Sequence, residues 1–138
     1  MSGEFKQVET IKKILGDYHT IAVVGLSDKP DRPSYFVASY LQNQGYRIIP
    51  VNPRLTEVLG EKAYPDLASV PFEIDIVDIF RKSEDIPPIV DAAIEVGAKA
   101  IWMQEGVISE KSAQKAMNEG LDVVMDLCML KEHRKHVV

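Results

Sequence analysis

Residues 21–34 run Ile21-Ala22-Val23-Val24-Gly25-Leu26-Ser27 and then place Lys29, Arg32, Pro33 and Ser34 within a few positions of one another. An apolar run that stops at a glycine and hands over to a helix start presents backbone N–H groups at a positive helix end, a common way of holding a phosphate. The chemistry this predicts is contact with the phosphates of a nucleotide. The dinucleotide fingerprint asks for three glycines as G-x-G-x-x-G, whereas only Gly25 is present and cations stand where glycines would be. Ordinary NAD binding is therefore disfavoured. The plainer role for Gly25, a tight turn with close helix–strand packing, is outweighed by its place in the loop.

Other constellations fall short of a complete set. His19, His133 and His136 have no metal-ligand spacing, and no cluster of cysteine or carboxylate completes one. Gly25-Leu26-Ser27 stops short of a G-x-S-x-G nucleophile elbow because Lys29 occupies the second glycine position. Glu105 stands where a general base could stand, but one carboxylate with no identified partner is not a mechanism. The expectation is a protein without catalysis of its own.

Five apolar runs alternate with helical patterns and must position these residues. The runs are 21–24, Arg47–Val51, Ile74–Phe80, Lys99–Met103 and Leu121–Met125. Val8, Ile11, Ile14 and Leu15 predict an amphipathic helix over 4–16 stopped by Gly16. Val37, Tyr40, Leu41 and Gln44 follow one helical face up to Gly45. Ile86 to Ile94 form another, with Pro87 and Pro88 confined to its first turn, and Ser109 caps a fourth with Ala113, Ala116 and Met117 turned inward. Pro50 cannot donate a ladder hydrogen bond and makes an interior place for the second strand uncomfortable. Such alternation implies a parallel sheet covered on both faces, with ligands beyond the carboxyl ends of its strands.

The chain has 138 residues, of which 46% are hydrophobic and 27% charged. That suits one domain over 1–138, with residues 1–17 as an N-terminal helix packed on it and 126–138 as a C-terminal tail. A net charge of −5 argues against a broad nucleic-acid or membrane surface. The apolar runs are far shorter than a membrane span, the first residues lack a signal-peptide pattern, and the lone Cys128 excludes an internal disulfide framework. These features fit the cytoplasm. Cys128 reads as a buried small hydrophobe near a strand end, and Trp102 as core packing.

The strand-end rule brings to one rim the segment Gly25 to Ser34, Asn52-Pro53-Arg54, Arg81-Lys82, Gln104-Glu105-Gly106 and the stretch from Asp126 to His133. NAD proteins usually place an acid after the second strand to accept from the adenine ribose, and here Arg54 stands nearby instead. An arginine favours a ligand with an extra phosphate, which NADP and coenzyme A both carry. Charge alone leaves these two open.

Val24-Gly25-Leu26-Ser27, Arg32-Pro33-Ser34, Gly45 to Pro53, Gly60 to Tyr64, Phe80-Arg81 and Trp102 to Gly106 together resemble the stand-alone CoA-binding domain family, over roughly residues 10–133. The family is similar to the N-terminal, CoA-binding part of the succinyl-CoA synthetase alpha subunit. The resemblance implies a Rossmann-like five-stranded parallel sheet in the order 3-2-1-4-5, helices on both faces, and coenzyme A or an acyl-CoA as ligand. It implies that Gly25, Leu26 and Ser27 lie against the phosphates, with Lys29, Arg32 and Ser34 as partners in the same loop. Val51, Asn52 and Pro53 would approach the adenosine, and Arg54 would neutralise a phosphate. Phe80 and Arg81 would line the cleft, while Met103, Gln104, Glu105 and Gly106 would flank the pantetheine arm. The family's C-terminal Cys-Pro or Cys-Ile followed by Lys and an acid is matched in part by Cys128-Met129-Leu130-Lys131-Glu132.

The leading expectation is thus a non-catalytic protein, monomer or homodimer, that binds free CoA or a CoA thioester. The alternatives are an NADP-linked oxidoreductase fragment, disfavoured by the missing glycines, and an interaction module with a vestigial pocket that docks through residues 4–16 or the charged stretch Lys131 to Lys135.

Overall fold

The structure, a computed structural model, describes residues 3–137. Met1, Ser2 and Val138, which the expected 1–138 domain includes, lie outside the described residues. In chain order the elements are α1 (Gly3–Asp17), β1 (Thr20–Val24), α2 (Pro33–Asn43), β2 (Arg47–Val51), the hairpin strands β3 (Glu57–Val58) and β4 (Glu61–Lys62), β5 (Ile76–Ile79), α3 (Ile86–Glu95), β6 (Ala100–Met103), α4 (Glu110–Asn118), β7 (Asp122–Val124) and α5 (Met129–His136). All five long strands are parallel and lie in the order β2-β1-β5-β6-β7.

The strands read as continuous apolar runs because both faces of the sheet are covered. Ile21, Val23, Ile48, Ile76 and Trp102 face a layer that includes Ile11 and Ile14 of α1, Val37 and Leu41 of α2 and Met129 of α5. Ala22, Val77, Ile79, Ile101 and Met103 face Val90 of α3 and Ala113 of α4. The result is the Rossmann-like α/β architecture that the alternation implies.

The 3-2-1-4-5 style holds once the bridge outside β2 is counted as the third place, which puts β5, β6 and β7 in the places beyond β1. The third place, outside β2, belongs to Tyr64, which makes a single parallel bridge to Val51. The Tyr64 N–H donates to the Pro50 carbonyl at 3.0 Å, and the Asn52 N–H donates to the Tyr64 carbonyl at 2.8 Å. The hairpin β3–β4 fills most of the crossover here and leaves one residue to pair. The strand expected over 74–80 therefore lies on the other side of β1, as β5. This edge also explains Pro50: its carbonyl, and so its missing N–H, points to the sparsely bonded outer side of β2, where no full ladder is interrupted.

Several local expectations hold. Ser109 caps α4 by accepting from the Ser112 N–H at 3.3 Å, Pro87 and Pro88 fall in the first turn of α3, and Trp102 is fully buried with its indole N–H donating to the Leu127 carbonyl. Others need correction. Helix α1 runs one residue past Gly16, and Met117 is about half exposed rather than inward.

The expected tail over 126–138 is largely helix α5, with Met129, Leu130, Glu132 and His133 buried. His133 Nδ1 lies 2.8 Å from the Tyr40 hydroxyl, and the imidazole meets Tyr40 and Tyr46 edge-on. Burial lowers the His133 pKa below its usual value, so the neutral ring suits this place. Because α5 closes the apolar face of α2, Met129→Ala should destabilise the protein by about 2–4 kcal/mol in urea unfolding. A change below about 0.5 kcal/mol would show that α5 is not docked in solution.

Candidate functional site

The site begins where β1 leaves the sheet. Gly25 has φ +88°, and a Cβ there would collide with the Phe80 carbonyl oxygen and crowd the Arg81 side chain. Its N–H donates to the Val51 carbonyl at 2.9 Å, while the Phe80 N–H donates to the Val24 carbonyl at 2.9 Å. Glycine is needed here on two counts, the positive φ and the close approach of the backbone at the end of β5.

The loop that follows is tied down by short polar side chains. The Ser27 N–H donates to Ser34 Oγ at 3.0 Å and the Lys29 N–H to Ser27 Oγ at 3.1 Å. Asn52 bridges two loops: its Nδ2 donates to the Leu26 carbonyl at 3.0 Å, and its Oδ1 accepts from the Arg54 N–H at 2.9 Å. The first turn of α2, which starts at Pro33, brings its unsatisfied N–H groups to the same place.

These segments enclose a cleft of about 1260 Å³ at the carboxyl ends of the strands. Gly25, Ser27, Arg32, Ser34, Asn52, Pro53, Arg54, Phe80, Arg81, Gln104 and Glu105 all line it, so most of the residues predicted from separate segments meet here. Arg81 pairs with Asp85 at 3.2 Å and Glu105 with Lys131 at 2.9 Å. Arg32 and Arg54 have no ion-pair partner among the described residues. The cleft thus offers two uncommitted guanidinium groups beside a helix N-terminus, a set suited to phosphate.

The other predicted residues lie elsewhere. Leu26 and Met103 are fully buried, one in each core layer, and line neither the cleft nor the cavity beside it. Lys29 is exposed outside the lining. The Gly106 N–H donates to Asp126 Oδ1 at 2.7 Å, which ties the β6 turn to the β7 turn. Val51 faces an adjoining cavity of about 430 Å³, with apolar walls from Val24, Leu67, Pro88, Ile89 and Ala92. Cys128, a free thiol at the start of α5, lines the main cleft together with Val37 and Val107. Cys128 belongs to the stretch from Asp126 to His133 that the strand-end rule put on this rim, whereas the adjoining cavity is assembled from segments too distant in sequence to be grouped by spacing.

The family description "CoA binding domain" matches residues 19–134. This chain belongs to the CoA-binding domain family. The protein YneT of Bacillus subtilis is 45% identical over 123 residues, which cover 89% of this chain and 91% of that one. A protein of known structure from Pyrococcus horikoshii superposes with TM-score 0.91 at 40% identity, covering 95% of this chain and 92% of that one. Acetate–CoA ligase [ADP-forming] II of Archaeoglobus fulgidus is 26% identical over 102 residues, 72% of this chain but 15% of the ligase. The family is thus related to part of acyl-CoA ligases.

Behind the cleft of this CoA-binding domain lies one group the sequence reading passed over. Asp78, in the middle of β5, is 0% exposed, and its Oδ1 accepts from Gln104 Nε2 at 2.6 Å. Its Oδ2 has no hydrogen-bond partner among the described residues. An acid within β5, whose other residues Ile76, Val77 and Ile79 are apolar, is the signal that could have drawn attention to it.

Burial raises the Asp78 pKa from 3.8 to about 7, against the smaller lowering effect of the Gln104 hydrogen bond. The folded pKa lies above the unfolded one, so the folded chain binds the extra proton between these values and stability falls as pH rises through that window. Asp78→Asn removes the titration at nearly constant shape. It should be more stable than wild type at about pH 8 by at least about 1 kcal/mol, with the gap shrinking towards about pH 4 in urea midpoints. A gap independent of pH would contradict a neutral buried carboxyl.

Proposed function

We propose that this protein binds coenzyme A or an acyl-CoA in the strand-end cleft and performs no chemistry of its own on it. The observation that carries the reading is the pair of uncommitted arginines, Arg32 and Arg54, on either side of the glycine loop in a member of the CoA-binding domain family. The pyrophosphate would lie against the Gly25–Ser27 loop and the start of α2, with Arg32 beside it. Arg54, in the turn after β2, would take the 3′-phosphate. The adjoining cavity suits adenine, since its walls are apolar and Asp66, Glu84 and Asp85 stand at its margin. The pantetheine arm would leave along the β6 turn, past Gln104 and Glu105 towards Cys128.

The non-catalytic reading rests on what the cleft's groups are doing. Glu105 is held by Lys131 and Asp85 by Arg81, which leaves Glu84 of the lining as a single carboxylate without a partner acid or base, and that is not a mechanism. The ligand would be free CoA or a thioester handled in the cytoplasm, by a monomer or a homodimer. The single glycine of the loop disfavours an NADP-linked function.

Calorimetric titration tests the assignment of Arg54. Arg54→Ala should weaken CoA about tenfold, the loss of one charge-assisted contact, and leave dephospho-CoA unchanged. Equal losses for both ligands would contradict contact with the 3′-phosphate.

A further inference from the structure

We infer that Asp78 is a positioning residue: it holds the Gln104 side-chain amide so that its carbonyl oxygen is left for the cleft, where it reads a hydrogen-bond donor on the ligand's pantetheine arm. This rests on the CoA reading of the cleft. Parallel register places Asp78 between Val23 of β1 and Trp102 of β6, both fully buried, and among the described residues the only polar contact its carboxyl makes is the one to Gln104. Gln104 follows Trp102 by two residues and so returns to the same face of the sheet. It is 4% exposed yet lines the cleft.

The amide has two faces and Asp78 fixes which is used. With Nε2 committed to Asp78 Oδ1 at 2.6 Å, Oε1 has no partner among the described residues and remains an acceptor. The pantetheine arm carries two amide N–H groups, and an extended arm leaving the phosphate loop along the β6 turn brings them past this oxygen. An unclamped glutamine would offer donor and acceptor alike and would not discriminate.

A fully buried carboxyl with one orphaned oxygen is costly, and a hydrophobic residue of similar size would suit the core between Val23 and Trp102 better. Keeping an acid there makes sense when its hydrogen bond orients a residue that faces a ligand.

The test compares CoA with adenosine 3′,5′-bisphosphate, which lacks the arm, by calorimetry on the full chain. Asp78→Leu should weaken CoA about tenfold and leave the bisphosphate within about twofold. Asp78→Asn should retain wild-type CoA affinity, because its amide oxygen still accepts from Gln104 Nε2. Gln104→Leu should show the same loss as Asp78→Leu, and the double variant should be no worse than Gln104→Leu alone. If Asp78→Leu does not fold, Asp78→Val, better suited to a strand, carries the same expectation. Unchanged CoA affinity in Asp78→Leu, equal losses for both ligands, or a further loss when Asp78→Leu is added to Gln104→Leu would overturn the positioning role. Failure of the wild-type protein to bind CoA would overturn the reading of the cleft and this inference with it.

Discussion

Where β1 ends, the backbone turns at Gly25 while in contact with the ends of both neighbouring strands, through a hydrogen bond to Val51 on one side and the Phe80 carbonyl on the other. A side chain at this position would force β5 away from β1. The loops after β1, β2 and β5 would then separate, and with them the Ser27, Asn52 and Arg81 segments that make the cleft. The cleft's shape therefore depends on the absence of a Cβ at one residue. Asn52 adds to the same junction by pinning the Leu26 carbonyl to the turn after β2.

Charge is distributed around this junction in two classes. Arg81, Glu105 and Asp85 are neutralised by partners within the protein, whereas Arg32 and Arg54 are not. In a chain of net charge −5, the uncommitted Arg32, Arg54 and Lys82 of the cleft lining would draw a phosphorylated ligand to one rim without making the whole surface attractive to nucleic acid. On the proposed reading, the apolar side cavity and the Asp78–Gln104 pair would add recognition that does not depend on charge.

The strands were legible because a parallel sheet buried on both faces leaves uninterrupted apolar runs, and most of the rim followed from knowing that ligands sit at the strand ends. Helix α5 was not legible. Its stretch from Lys131 to His136 is charged or polar throughout, and the buried face depends on Met129, Leu130 and a histidine whose apolar surroundings come from Tyr40 and Tyr46. The occupant of the third sheet position was hidden for a different reason, since a single bridge at Tyr64 leaves no strand pattern. Asn52, expected to approach the adenosine, does line the cleft, and its side chain also makes two loop hydrogen bonds, a use that only the folded geometry reveals. Asp78 was passed over inside a strand because a lone acid there has no neighbour in sequence with which to form a motif.

The central claim is that the strand-end cleft holds CoA. Its most direct test is to follow backbone amide signals by nuclear magnetic resonance while CoA is added to the isotope-labelled protein. The account predicts saturable shifts concentrated at Gly25, Ser27, Arg54, Arg81 and Gln104, with α1 and the outer faces of α3 and α4 unaffected. Saturable shifts centred on those helices, or no shifts at any CoA concentration, would contradict it.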